Sequence, residues 1–158
     1  MILGMTIFTF IHVVISLIAI LSGLIVLFGM VNNDRMDLTT AIFLLFTVAT
    51  SVSGFFFPIQ GLTPALIIGM ISMGLLALAI AARYAFAMRG AWRWIYIATA
   101  ETAQYFNSFV LVVQAFLKIP ALHALAPSGS EAPFVIAQSI VPLFYVVVGY
   151  LAVRRFRP

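Results

Sequence analysis

The chain has 158 residues, 65% hydrophobic and only 8% charged, with no cysteine and a net charge of +4. Soluble domains carry roughly 25% charged residues, so this composition, with a mean hydropathy of +1.22, marks an integral membrane protein and excludes a soluble fold with its own core. Without cysteine there are no disulfides, thiolate metal sites or iron–sulfur clusters held by this chain alone, and so few basic residues make no case for nucleic-acid binding.

The first hydrophobic segment predicts a spanning helix over 7–30. It lacks a basic flank and a small-x-small cleavage site, and its apolar core is too long for a leader, so it reads as a retained span. Ser16, Ala19 and Gly23 recur along it at helical spacing, a face small enough for close helix approach. It ends in a polar turn holding Asn32, Asn33, Asp34, Arg35 and Asp37. A second helix is expected over 38–57, stopped by Pro58, with Thr40, Thr47, Ser51 and Gly54 along one face. After a tight uncharged turn at 58–61, a third helix over 63–87 starts with Pro64 in its first turn. Met70, Gly74, Ala77 and Ala81 are its expected packing face.

The turn from Arg89 to Arg93 leads to a fourth helix over 92–117, closed by Pro120. The longest connection, 121–133, opens with apolar residues from Ala121 to Ala126 that predict a short helix in the interface. Glu131 and Lys118 can pair across the ends of this connection, which then reads either as a lid over the fourth helix or as an ordinary capped link. A fifth helix over 134–153 contains Pro142, which removes a backbone donor and predicts a kink. The fold class is therefore all-α: a polytopic membrane protein, one bundle of five transmembrane helices.

Charge sets the expected topology. Arg83, Arg89 and Arg93 cluster between helices three and four, and Arg154, Arg155 and Arg157 follow helix five. With five helices both clusters fall on one side, as does Arg35, and the positive-inside rule makes that side the cytoplasm with the N-terminus outside. Trp92, Trp94, Tyr84 and Tyr96 are the expected aromatic belt at that interface.

The fourth helix carries the polar residues. At about 100° per residue, Glu101, Gln104, Asn107, Ser108, Gln114 and Lys118 share an arc of roughly 140° over about 25 Å of axis. Lipid cannot satisfy such a stripe, so the other helices should pack around it. Its members either line a hydrated pathway or act as interhelical glue worth about 0.6 kcal/mol per contact. Glu101 lies about 9–10 Å inside the boundary. Arg83, across the hairpin at Gly90, is its expected partner, in a structural ion pair or as part of a proton or ion relay or ligand anchor. His12, about 7–8 Å below the outer surface, either bonds to a neighbour such as Gln114 or holds haem, a metal or a quinone. The only other histidine is His123, in the outer loop, and haem bundles place histidines on facing helices instead.

No Ser-His-Asp set, paired carboxylates, phosphate loop or metal motif occurs, so the chain reads as a non-enzyme. The stretch Phe109-Val-Leu-Val-Val-Gln-Ala-Phe-Leu-Lys-Ile-Pro-Ala-Leu-His-Ala-Leu-Ala-Pro127, followed by Ser130-Glu-Ala-Pro-Phe134, resembles small uncharacterised multi-pass membrane proteins of proteobacteria. Ile11-His12 and Ser53-Gly-Phe-Phe-Phe-Pro58 are similar to the same group. The resemblance implies a bacterial inner-membrane protein and supplies no activity. The expected function is a binding or accessory subunit in the lipid bilayer, alone, as a homo-oligomer or in a larger complex, with no cofactor. The alternatives are a small transporter, channel or proton relay using Glu101, and a haem- or quinone-binding redox subunit using His12.

Overall fold

The computed structural model describes residues 5–58, 61 and 63–157. Ile59, Gln60 and Leu62 of the turn after the second helix, and Pro158 of the basic tail, lie outside the described residues. The chain is all-helical: α1 (Ile7–Val31), α2 (Asp37–Gly54), α3 (Pro64–Ile80) with a π-helical turn (Ala81–Ala85), α4 (Ala91–Lys118), α5 (Pro120–Leu125) and α6 (Ala132–Arg155). No β-strand occurs among the described residues. Thr6 and Thr63 cap α1 and α3, each hydroxyl accepting from the backbone N–H three residues on. The second helix closes at Gly54, three residues before the expected stop, while α6 continues as one helix through Pro142.

Four of these helices, α1, α2, α3 with its π turn, and α6, are long and apolar enough to cross a membrane. The fourth is the longest, at 28 residues, and the least apolar of the long helices. It is also the hub, for it packs against α1, α2, α3, α5 and α6. Around it α6 packs on α1, α1 on α2 and α2 on α3. Much of the core sits in one half of the bundle, where Val26, Leu27, Phe43, Leu76, Ile97, Ala100 and Ala152 are buried.

That half ends where the basic residues gather. Arg93 donates to the carbonyls of Val153 and Phe156 at 2.9 and 2.8 Å, and the N–H of Arg157 donates to Asn33 Oδ1 at 2.6 Å. Arg83, its side chain 1% exposed, donates to Asp37 at 2.6 Å and to the Arg35 carbonyl at 2.9 Å. Its guanidinium lies 5.2 Å from the centre of the Tyr96 ring. The ends of α1, α3 and α6 and the starts of α2 and α4 therefore share one end of the bundle, and all seven arginines are carried there.

Three expectations are corrected here. Arg83 pairs with Asp37 and not with Glu101. Tyr96 faces Arg83, and Glu101, five residues further on, is turned about 140° round α4 and points elsewhere. Tyr96 itself is fully buried beside Arg83 rather than part of an interfacial belt, whereas Tyr84 and Trp94 are exposed. On α3 the packed face is not Met70, Gly74 and Ala77. Met70 is exposed, and nothing lies within 4 Å of where a Cβ on Gly74 would be. The buried residues are Ser72, Leu76 and Ala79, which precede Arg83 by eleven, seven and four positions and so share its face. A helix that is apolar all round has no face chosen by its small residues, and here the buried arginine chooses it.

On α1 the small-residue face does pack, at Ala19 and Gly23. A Cβ at Gly23 would collide with the Gln104 carboxamide and sit 2.9 Å from the Phe43 ring. Gly23→Ala is expected to cost about 1–3 kcal/mol by overpacking, read as a lower unfolding midpoint in mixed micelles, whereas Gly74→Ala should leave it unchanged.

Candidate functional site

Each polar residue of α4 is met by a different neighbour. Gln104 is fully buried, and its Nε2 donates to the Ile20 carbonyl of α1 at 2.8 Å. Asn107 reaches Thr47 of α2 at 3.5 Å. The Ser108 and Tyr145 hydroxyls, on α4 and α6, share a 2.7 Å hydrogen bond. In return, Gln138 of α6 donates to the Phe109 carbonyl at 3.2 Å. Gln114 and Lys118, at the far end, are exposed. The stripe is thus divided among three helices, as bonds between them.

Glu101 differs from Gln104, which leaves only its Oε1 without a partner, in bonding to no other side chain. The described residues contain two ion pairs, Arg83–Asp37 and Arg35–Asp37, and Glu101 is in neither. One of its carboxyl oxygens is buried with no hydrogen-bond partner. The carboxyl group rests on Gly149 of α6, where any Cβ would collide with it, so the glycine makes the approach of the two helices possible here. Ten residues from the start of α4, the group lies about 15 Å along the helix.

Glu101 opens onto a groove of about 470 Å³ between α4 and α6, lined also by Thr102, Tyr105, Pro142, Tyr145 and Val146. The lining is mostly apolar. Its other polar groups are largely engaged: the Thr102 hydroxyl donates to the Ala98 carbonyl at 2.7 Å, and Tyr145 holds Ser108. The nearest arginines are occupied as well. Arg93 is bound to backbone carbonyls, and Arg154 donates to the Tyr150 hydroxyl at 2.9 Å. The groove therefore offers one carboxyl group on an aromatic and aliphatic wall.

The histidines lie on separate elements. His12 Nδ1 is 2.7 Å from Ser53 Oγ. That hydroxyl proton is used on the Ala49 carbonyl at 2.7 Å, so His12 Nδ1–H donates to Ser53. The ring also meets Phe57 edge-on at 5.0 Å. Gln114, the expected partner, is exposed, and Ser53 of α2 takes its place. His123 is exposed on the short α5, which packs on α4.

The long connection is ordered by its own acid. Glu131 does not pair with Lys118. Its carboxylate accepts from the Ser128 and Ser130 N–H groups, each at 3.1 Å. Donors one and three residues away need no long side chain to be fixed, so they win over a distant lysine. The Ser128 backbone donor, followed by weaker local hydrogen bonds, holds Glu131 below the usual carboxylate range. Ala126 is buried, and Phe116 meets Phe134 edge-on at 5.4 Å, which fixes the two ends of the loop.

Sequence reasoning missed Gly149, Tyr145 and Asp37. Gly149 stands in α6 without a second small residue four positions away, and Asp37 was read as part of a turn. Tyr145 lies three residues after Pro142 in the middle of α6, and a hydroxyl at that depth was the available signal.

No protein-family model, curated protein or solved structure matches the chain.

The Ser108–Tyr145 bond is the direct polar link between the groove wall and α4. A double-mutant cycle with Ser108→Ala and Tyr145→Phe is expected to give a coupling of about 0.6 kcal/mol, the average for such bonds in membranes. The measurement is reversible unfolding of the four proteins in mixed micelles.

Proposed function

We propose that this is a non-enzymatic binding protein of the bacterial inner membrane, with five spanning helices, its N-terminus outside and its C-terminus in the cytoplasm. It takes a small amphiphilic ligand from the bilayer into the α4–α6 groove, anchored by Glu101. The observation that carries this reading is a carboxyl group with an unpartnered buried oxygen at the side of a groove formed by α4 and α6. A lone carboxylate in hydrocarbon is costly, and intramembrane ionisable groups mark binding sites or pathways. The divided stripe lends less support to a pathway, because Gln104, Asn107 and Ser108 already bind three different helices.

Support for the fifth span comes from packing. At 28 residues α4 is about 42 Å long, and Gln104, Asn107 and Ser108 of its polar stripe are met by α1, α2 and α6. Support for the orientation comes from charge. All seven arginines share one end of the bundle, and five antiparallel spans bring that end to the cytoplasm. The likeness of 109–134 to bacterial multi-pass proteins supports the location.

The absence of cysteine makes a direct topology test available. Ser130→Cys should react with an impermeant maleimide in intact cells, and Arg89→Cys only after the membrane is opened. The binding reading is tested by native mass spectrometry of protein extracted in mild detergent. A small molecule should leave the wild-type protein on activation and be depleted in Glu101→Leu and in Val146→Trp, which fills the groove. Equal recovery from all three proteins, or none from wild type, would overturn it.

A further inference from the structure

We propose that the ligand class of the α4–α6 groove is an amphiphilic amine, its protonated nitrogen held by Glu101 and its apolar body laid along α6. This rests on the groove being a ligand site and adds its chemistry.

Glu101 is the one formally charged side chain in the groove lining, and one of its oxygens is buried without a donor. A ligand in the groove meets the other carboxyl oxygen, and the partner that best relieves the carboxylate supplies both a positive charge and an N–H or O–H. An ammonium group supplies both, as a charge-assisted hydrogen bond. An alcohol lacks the charge, and a quaternary nitrogen lacks the hydrogen. The pair that forms has no net charge, so the penalty of an isolated carboxylate in hydrocarbon is relieved. Arg93 and Arg154 do not fill the role, because their guanidinium groups are held by the Val153 and Phe156 carbonyls and by Tyr150.

The wall fits the same ligand. Tyr105 and Tyr145 meet edge to face at 5.8 Å beside the carboxyl group, and ring faces attract cations within about 6 Å. The rest of the lining is apolar and suits a hydrocarbon body. A hard metal ion is poorly served. It asks for about six oxygen ligands, and the groove has one carboxylate, with its Thr102 and Tyr145 hydroxyls already engaged. The volume of about 470 Å³ is that of a small-molecule pocket.

The test is titration of the full-length protein, in nanodiscs of zwitterionic lipid, with dodecylamine and with dodecanol, subtracting uptake by empty nanodiscs. Wild type is expected to bind dodecylamine about tenfold or more tightly than dodecanol, the margin of one hydrogen bond to a charged group. Glu101→Gln should remove that margin, and Val146→Trp should weaken both ligands. The wild-type comparison needs no variant, so it decides the matter even where a variant fails to fold. Saturable binding of both at equal affinity, with the groove-filling variant still weakened, would overturn the amine assignment and leave the binding site standing. No saturable binding of either would count against the groove as a site for amphiphiles and against the amine with it.

Discussion

In hydrocarbon a polar side chain has no solvent to turn to, and this bundle is arranged around the one helix where that constraint is severe. The polar residues of α4 are answered in turn by a backbone carbonyl of α1, a threonine of α2 and a tyrosine of α6. Each answer fixes the position of a neighbour. Gln104 brings α1 close enough that Gly23 must lack a side chain. Ser108 sets the rotation of α6 through Tyr145. In water such bonds would compete with solvent. Here, where lipid offers no alternative partner, they specify which helix lies beside which, even though each contributes little to stability.

A second constraint acts at the basic end. Arg83 is buried on the π-helical turn that ends α3, and its guanidinium is held by Asp37, the Arg35 carbonyl and the face of Tyr96, with its Nε left without a partner. Ala82 and Arg83 are both buried on this turn. Asp37, by contrast, is 71% exposed in its side chain, so the pair spans the boundary of the fold: the carboxylate keeps its water while the arginine gives up its own. Removing the acid would leave a buried charge, whereas removing the arginine would leave a solvated one.

How much of this was legible in the sequence follows from the same physics. Helices were readable because lipid demands long apolar runs, and the gathering of the arginines at one end was readable because charge is sparse. The central place of α4 was readable too, since a polar arc on a long helix of so apolar a chain finds its partners in the other helices. Partner choice was not. Arg83 and Glu101 were expected at similar depth across a hairpin, yet Arg83 packs at the level of Tyr96, and a turn of about 140° between Tyr96 and Glu101 sends the carboxyl group to α6. Small residues misled on α3, where every face is apolar and none is marked, and guided on α1, where the buried Gln104 needed room.

Buried polar atoms of Thr50, Arg83, Tyr96, Gln104 and Gln138 lack partners too, but Glu101 is the acid that the rest of the bundle leaves unanswered. Asp37 and Glu131 each find donors, one in Arg83 and the other in local backbone N–H groups. Among the acids of the described residues Glu101 is the one with a buried oxygen left without a partner, since Asp34 accepts from the Met36 N–H. Arginines are plentiful at the nearer end, and a lysine or arginine at position 146 or 153 of α6 would lie on the groove itself. Instead α6 presents Gly149 to the carboxyl group, a residue that brings the backbone close and supplies no side chain. Close approach without a partner keeps the oxygen buried and the groove beside it empty of charge. That arrangement is the one the proposed ligand site requires, since an internal cation would close it.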